Sequence, residues 1–206
     1  MDAGPTLIYL LRHGEVEPGG GRRFIGHLDV PLSPLGERQA AAQARRLRDA
    51  PLAAVFASDL ARARRTAEVI AAPHGLRPVL VPALREMDMG RWDGLSADEI
   101  QAREPAAFAR WMADVGGYSF PGGESVGDLL ARAWPAFAAI VAAHPGRAVA
   151  VVAHGGTNRA LLCRTLGVPL ARLLAFGQDY GALTVLARAE GGWRLRRLNE
   201  GPRVAP

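Results

Sequence analysis

The sequence predicts an α/β fold: a three-layer α/β/α sandwich with a mostly parallel sheet, one antiparallel edge hairpin and a helical lid. Two observations predict this fold class. Short apolar runs alternate along the chain with stretches of helical periodicity, which is typical of helices packed on both faces of a parallel sheet. Towards the C-terminus, two short apolar runs flank Gly191 and Gly192, which favours a hairpin. No repeat or long linker divides the chain, so we expect residues 1–206 to form a single domain.

Four apolar runs are predicted as the parallel strands. They cover residues 6–11, 53–57, 78–81 and 148–153. Three of them are rich in Val, Ile or Leu without polar alternation, which predicts strands that are buried on both faces. The strands of the hairpin are expected over residues 183–187 and 193–198.

Five amphipathic stretches between these strands are predicted as helices. They cover residues 34–49, 60–72, 96–113, 125–143 and 157–166. Ser33 and Ser58 are placed to cap the first two helices. Ser125 with Asp128 resembles a capping box before the fourth helix.

Length and composition restrict the class of protein. With 206 residues, 49% of them apolar, the chain has ample material for a core. No stretch approaches the roughly 20 apolar residues of a membrane helix, and no signal-peptide pattern opens the sequence. We therefore expect a cytoplasmic protein with no membrane partner. Cys163, the single cysteine, lies in an apolar run and is expected to be buried and inert.

The formal net charge of +5 does not predict a nucleic-acid partner, because the basic residues are dispersed and no basic cluster is interleaved with aromatic residues. The chain contains no lysine, which excludes Schiff-base chemistry and a Walker-type phosphate loop. Its arginines remain suited to phosphate, which a planar guanidinium binds in a bidentate manner.

Reactive side chains follow each predicted parallel strand. Arg12 and His13 follow the first strand, and Arg62 lies in the first turn of the helix after the second. Glu86 lies a few residues after the third strand, and His154 directly follows the fourth. Open α/β sheets bind ligands at the carboxyl ends of their strands, so we expect these five residues to share one edge.

These groups together point to cleavage of a phosphomonoester through a phosphohistidine. Two arginines neutralise a dianion, a neutral imidazole attacks phosphorus, and a protonated carboxyl gives its proton to the departing alkoxide. Taken singly, each residue also has a structural interpretation, as a hydrogen-bonded histidine, a solvated arginine or a surface carboxylate. The joint placement at four strand ends favours the functional interpretation.

A metal centre is the competing use of the same groups. Its ligands would be His13, His154 and Glu86, with His27 or Asp88 as a further ligand. Two arginines beside a divalent cation would repel it, and no His-x-His or His-x-x-x-His pair occurs. We therefore expect no metal and no cofactor.

Motifs along nearly the whole chain resemble those of the histidine phosphatase superfamily, also called phosphoglycerate mutase-like. They are, in order, LRHGE at 11–15, GHLDVPLS at 26–33, SDLARA at 58–63, LREM at 84–87 and AHGG at 153–156. The resemblance implies that His13 is the phosphorylated nucleophile and that Glu86 is the proton donor. It also implies a phosphate pocket made by Arg12, Arg62, His154 and Gly155.

The first motif departs from the family pattern. The family often continues it with Thr and Asn, whereas this chain has Val16 and Gly19 at those positions. The contact that the Asn usually makes with phosphate has to come from elsewhere, or the glycine run 19–21 is simply a flexible loop. Backbone N–H groups of that run are one source, with Arg22 or Arg23 adding charge. We expect Arg22, Arg23 and Gly26 as substrate contacts.

Three functions remain within the resemblance: hydrolysis, mutase-type phosphoryl transfer, and binding of a phosphorylated ligand without turnover. The lid insertion, expected at about 87–124, carries only the arginines Arg91, Arg103 and Arg110, which are few for the second phosphate of a mutase. A non-catalytic relative is expected to have lost His13, His154 or Glu86, and all three are present.

The expectation is therefore metal-independent hydrolysis of small-molecule phosphomonoesters. Residues 92–95, Trp111 and residues 120–125 resemble the α-ribazole phosphatase branch and the related phosphoserine phosphatases. The substrate is left open between α-ribazole phosphate, phosphoserine, a sugar phosphate and others. The oligomeric state is left open between a monomer and a homodimer.

Overall fold

A mixed sheet of six strands lies at the centre of the part of the chain that the computed structural model describes, residues 4–17 and 23–204. The strands are β1 (Thr6–Arg12), β2 (Leu52–Ala57), β3 (Val79–Leu80), β4 (Ala148–Ala153), β5 (Leu183–Ala189) and β6 (Gly192–Glu200). Their spatial order is β3-β2-β4-β1-β5-β6. The strands β3, β2, β4 and β1 are parallel to one another. Strand β5 pairs antiparallel with β1, and β6 pairs antiparallel with β5. The mostly parallel sheet with an antiparallel hairpin at one edge is confirmed.

Six α-helices occur among the described residues. They are α1 (Pro34–Leu47), α2 (Ala61–Ala71), α3 (Ala97–Arg103), α4 (Pro105–Ala113), α5 (Val126–Ala142) and α6 (Gly155–Leu166). Ser33 caps α1 as predicted, because its side chain accepts the N–H of Gly36. Ser125 and Asp128 form the predicted capping box before α5.

Two predicted helix features are wrong. The single helix predicted over 96–113 is two helices, because Glu104, with φ −134° and ψ 58°, leaves the helical conformation before Pro105. Ser58 does not cap α2: its hydroxyl accepts the N–H of Leu60, and the N–H of Ala61 donates instead to Asp29 Oδ1 at 2.7 Å. The carboxylate that completes this helix end comes from a distant loop.

The predicted burial of the third strand is also wrong. β3 has only two residues, Val79 and Leu80, and lies at the edge of the sheet beside β2. Both side chains are exposed, at 51% and 42%. An edge strand this short has no element covering its outer side, so its apolar sequence does not imply burial.

Apolar layers cover both faces of the sheet. On one face, side chains such as Ile8 and Val151 pack with residues of α5 and α6. On the other face, Leu11 and Val152 pack with residues of α1 and α2. These three layers place the carboxyl ends of β1, β2 and β4 at one edge, where α2 and α6 begin. The site is built there.

Two sequence expectations about apolar segments can be compared with the structure. Cys163 lies in α6 and is buried, as predicted, and burial raises the pKa of its thiol, which disfavours the reactive thiolate. Among the described residues, no helix is both long and apolar enough to cross a bilayer.

Candidate active site

A cavity of about 220 Å³ opens at the carboxyl edge of the sheet. One end of it is charged and includes Arg12, His13, Arg62 and Glu86. The rest of its wall is largely apolar and includes Phe24, Ile25, Met87, Met89, Trp111, Val115, Phe120, Leu173 and Leu174. The arrangement suits a ligand with an anionic head and a small, partly apolar remainder.

His13 directly follows β1 and is 5% exposed. Its Nδ1–H donates to the carbonyl of Gly14 at 2.7 Å, which leaves the lone pair on Nε2. Burial and the positive charges of Arg62 and Arg12 lower the pKa of His13 well below 6.5. The ring is therefore neutral at physiological pH and has a free nucleophilic nitrogen.

His154 directly follows β4 and precedes the first turn of α6. Its ring centroid lies 5.0 Å from that of His13. The Nε–H of Arg62 donates to Nδ1 at 3.3 Å, so the ring proton is on Nε2. That buried Nε2–H has no partner among the described residues. Burial, with the charge of Arg62, lowers the pKa of His154 well below 6.5, so this ring is a neutral donor.

Arg62, in the first turn of α2, is held by backbone carbonyls. Its Nη2 donates to the carbonyl of Gly26 at 2.7 Å, and its Nη1 donates to the carbonyl of Leu28 at 2.8 Å. Burial lowers the pKa of Arg62, although an arginine stays charged at any physiological pH. The loop that carries Gly26 thus orients a buried cation that forms no ion pair with a carboxylate among the described residues.

Arg12, at the end of β1, lies between one backbone carbonyl and one aromatic ring. Its Nη1 donates to the carbonyl of Gln178 at 2.5 Å, and its guanidinium lies over the ring of Tyr180, 3.8 Å from the centroid. Its buried Nε–H has no partner among the described residues, and burial lowers the pKa of the group. Within the described ranges, neither Arg12 nor Arg62 forms an ion pair with a carboxylate.

Glu86 reaches the cavity from the segment after β3. Its Oε1 accepts the N–H groups of Met87 at 2.9 Å and of Thr157 at 3.1 Å. Its Oε2 accepts the N–H of Gly156 at 2.9 Å. The first turn of α6 therefore holds this carboxylate, as helix N-termini hold anions in general.

Gly156 has no room for a side chain. A Cβ at this position would lie 2.5 Å from Glu86 Oε1. The close approach of Glu86 to the backbone of α6 therefore requires glycine here. The second glycine of the His-Gly-Gly motif has a positional reason that the sequence alone did not reveal.

Arg132 of α5 fixes the path of the segment that carries Glu86. It donates to the carbonyl oxygens of Ala83, Arg85 and Glu86 at 2.6–2.9 Å. It also donates to both carboxylate oxygens of Glu124, at 2.7 and 2.8 Å. Arg132 thus links α5 to Glu124, at the end of the predicted lid, and to the segment that carries the proton-donor candidate Glu86.

The other candidates from the sequence are placed differently. Arg23 lines the cavity at its rim and pairs with Glu99 at 2.9 Å. Gly26 donates its N–H to Asp93 and accepts from Arg62, so it positions an arginine and does not line the cavity. Arg22 and the glycine run 19–21 lie outside the described residues.

The two residues considered as further metal ligands also lie away from the cavity wall. His27 Nε2 donates to the backbone carbonyl of Glu86 at 2.9 Å, and Asp88 Oδ1 accepts the N–H of Gly90 at 2.8 Å. Across residues 4–17 and 23–204, no three His, Cys, Asp or Glu side chains form a group that could hold a metal ion.

Sequence reasoning missed two polar residues of the cavity wall. Arg159 lies four residues after Gly155 on α6, so helical spacing was a usable signal for it. Tyr180 lies in the loop before β5, and its ring contacts both Arg12 and His13, at 3.8 Å and 5.6 Å from its centroid. No pattern in the sequence marks that loop.

The chain is similar to known proteins in sequence and in structure. The model of the histidine phosphatase superfamily (branch 1) matches residues 8–201. Phosphoserine phosphatase 1 of Hydrogenobacter thermophilus is 31% identical over 93% of this chain and 91% of its own length. A protein of Erwinia tasmaniensis named as a phosphoglycerate mutase is 35% identical over 79% of this chain and 75% of its own. The solved structure of mycobacterial glucosyl-3-phosphoglycerate phosphatase superposes with a TM-score of 0.87 and 34% sequence identity. The match covers 96% of this chain and 100% of that one.

Proposed function

The chain belongs to the histidine phosphatase superfamily, branch 1, and is a phosphoric monoester hydrolase; we propose that it hydrolyses small-molecule phosphomonoesters through a phosphohistidine on His13, without a metal ion. One observation carries the proposal. The unprotonated Nε2 of His13 lies beside the buried Arg62 and the partly buried Arg12, which form no ion pair with a carboxylate among the described residues. A nucleophile and two uncompensated cations in one pocket suit a phosphate dianion.

In the first step, Arg12, Arg62 and the Nε2–H of His154 bind the phosphoryl oxygens. Nε2 of His13 attacks phosphorus, a P–N bond forms, and the bond from phosphorus to the ester oxygen breaks. Glu86 gives its proton to that oxygen as it leaves.

In the second step, Glu86 accepts a proton from water. The water oxygen bonds to phosphorus, the P–N bond breaks, and inorganic phosphate leaves. The electron pair returns to His13 Nε2 and the carboxyl of Glu86 is protonated again. The arginines supply the charge stabilisation that a metal ion supplies in other phosphatases.

The part of the cavity wall formed by residues 87–124 favours hydrolysis over mutase-type transfer. We propose that this segment is the lid of a single domain. It contributes Trp111, Val115 and Phe120 to the cavity but none of its arginines, and Arg91 faces Glu104 at 3.5 Å. A second phosphate would therefore meet an apolar surface there.

The substrate, the location in the cell and the assembly remain predictions. Phosphoserine and glucosyl-3-phosphoglycerate, which the names of the relatives contain, are the first compounds to assay, together with α-ribazole phosphate. The cytoplasmic location and the choice between monomer and homodimer stay as the sequence suggested.

Labelling with an alkaline quench tests the intermediate. Protein mixed with a ³²P-labelled phosphomonoester is denatured in alkali during turnover, and we expect a base-stable, acid-labile label that His13→Ala abolishes together with turnover. Hydrolysis should continue after exhaustive treatment with a chelator. A label that survives in His13→Ala, or activity that needs a divalent ion, would contradict the proposal. Release of inorganic phosphate at the rate of substrate loss separates hydrolysis from transfer.

A further inference from the structure

Arg159 is a third arginine at the charged end of the cavity, and the proposed mechanism does not use it. It lies on the second turn of α6 and is partly buried. Its Nε donates to the carbonyl of Phe176 at 2.9 Å, which fixes one edge of the guanidinium. Among the described residues, it forms no ion pair with a carboxylate.

The free edge of Arg159 lies next to the phosphate-binding groups. A Cβ placed on Gly155 would be 3.3 Å from Arg159 Nη1 and 3.5 Å from Arg12 Nε. Two guanidinium groups thus flank the first residue of α6, and among the described residues neither forms an ion pair with a carboxylate. Two cations beside one backbone position repel each other, and an anion that binds between them relieves that repulsion. Burial and the charge of Arg12 lower the pKa of Arg159, and the negative charges of Glu86 and Asp179 only partly oppose this.

Charge balance indicates what the third cation binds. A phosphomonoester dianion carries about two negative charges at neutral pH, which Arg12 and Arg62 neutralise. Glu86 is uncharged when it acts as the proton donor. Arg159 is therefore a third cation of the cavity, beyond the two that match the phosphate, and it suits one further negative charge on the substrate.

A carboxylate fits this position better than a second phosphate. Among the residues that the structure describes, the cavity wall has one further arginine, Arg23, which lies at the rim and is already paired with Glu99. A second phosphate dianion would thus have a single cation. A carboxylate has one charge and two oxygens, which the free edge of one guanidinium binds in a planar, bidentate manner.

We propose, building on the proposed phosphatase function, that Arg159 selects phosphomonoesters that carry a carboxylate close to the ester. Its guanidinium binds the carboxylate while Arg12 and Arg62 bind the phosphate. The adjacent wall, which includes Leu173 and Leu174, limits the rest of the molecule. Arg159 is thereby a specificity-determining residue.

A matched pair of substrates tests the role. 3-Phosphoglycerate and glycerol 3-phosphate differ at one position, two bonds from the carbon that carries the ester oxygen. The first has a carboxylate there and the second a hydroxymethyl group. Wild-type protein should have the higher kcat/KM on 3-phosphoglycerate. Arg159→Met keeps most of the apolar stem but removes the charge, and should lower that kcat/KM by about 10- to 100-fold, the size of a charge-assisted hydrogen bond. On glycerol 3-phosphate the change should be less than about 3-fold.

Two controls accompany the pair. Arg164→Met, on the same helix but exposed, should leave both substrates unchanged. Arg159→Lys, which keeps the charge, should restore part of the preference. Equal losses on both substrates in Arg159→Met, or no preference in the wild type, would overturn the proposal while leaving the phosphatase function standing. A wild type inactive on glycerol 3-phosphate, 3-phosphoglycerate and p-nitrophenyl phosphate would refute the phosphatase function itself.

Discussion

Burial affects histidine and arginine side chains of the site in different ways. It lowers the pKa of His13 and of His154 well below 6.5, so both rings are neutral when substrate arrives. It cannot remove the charge of Arg12 or Arg62, because guanidinium stays protonated even when desolvated. The same dry environment therefore produces a neutral nucleophile and permanent cations. Histidine and arginine, and not lysine, are the residue types that allow this combination.

Glu86 has the most exacting position of these residues, because three backbone N–H groups bind its carboxylate. As the proton donor, it matters only for leaving groups that need a proton. Glu86→Gln should lower kcat/KM by about 10²–10⁴-fold on alkyl phosphomonoesters, the usual range for general acid catalysis. The loss on p-nitrophenyl phosphate should be much smaller, because nitrophenolate leaves unprotonated.

The control for this prediction is Arg62→Ala, which removes charge stabilisation from the transferring group and should slow both ester types alike. Rate constants on both esters are compared for each variant, after thermal unfolding has verified the fold. If Glu86→Gln slows the two esters equally, or leaves the alkyl ester unaffected, the proton comes from elsewhere. Asp88 would then be the next carboxylate to replace.

At the scale of elements, strand direction explains why so much of the site was predictable. His13 and His154 directly follow two neighbouring parallel strands, so their proximity follows from the topology once the strands are recognised. Arg62 follows in the same way from β2, through the first turn of α2. A pattern of apolar runs is enough to place these residues at one edge.

The rest depends on contacts that the sequence does not encode locally. Tyr180 reaches Arg12 only because the loop before β5 passes over the end of β1. The cap of α2 comes from Asp29, 32 residues away. The exposure of Val79 depends on the sheet ending beside it. Each of these is decided by how segments distant in sequence pack, and local periodicity carries no information about it.

The pairing of α5 with the lid end gives a prediction at this scale. Burial alone would raise the pKa of Glu124, but its hydrogen bonds to Arg132 and to the N–H of Asp88 outweigh burial and lower it below 4.5. A lowered carboxylate pKa contributes stability that is complete above the unfolded value of 4.5 and is lost as the pH falls through the folded value. Glu124→Gln should therefore reduce the free energy of unfolding at pH 7 by about 1 kcal/mol, because the pair is partly exposed.

Urea unfolding at a series of pH values measures this difference. The gap between wild type and Glu124→Gln should narrow as the pH falls below 4.5. Glu190→Gln, at an exposed glutamate with no ion pair among the described residues, is the matched control and should not change the profile. A gap that stays constant across the series would mean that the ion pair does not contribute through ionisation of Glu124.

At the scale of the whole molecule, the charged end of the cavity lowers the free energy of unfolding, and a bound anion reverses this effect. Arg12, Arg62 and Arg159 are buried or partly buried at one end of a cavity without carboxylate partners among the described residues. Uncompensated charge in a dry environment destabilises the folded state. An oxyanion that binds between these cations neutralises them and also stabilises the folded state by mass action.

Inorganic phosphate should therefore raise the midpoint of thermal unfolding. At 100 times its dissociation constant, a ligand specific for the folded state adds about 2.7 kcal/mol, which corresponds to about 5–10 °C for a domain of roughly 200 residues. Sodium chloride at equal ionic strength should give a much smaller shift, because screening acts on all charges alike and fills no site. Arg62→Met should abolish most of the phosphate-specific rise, and Arg12→Met should do the same. A rise that persists in both variants would place the anion elsewhere, for which the groove lined by Arg45, Arg46, Arg197 and Arg203 is the alternative.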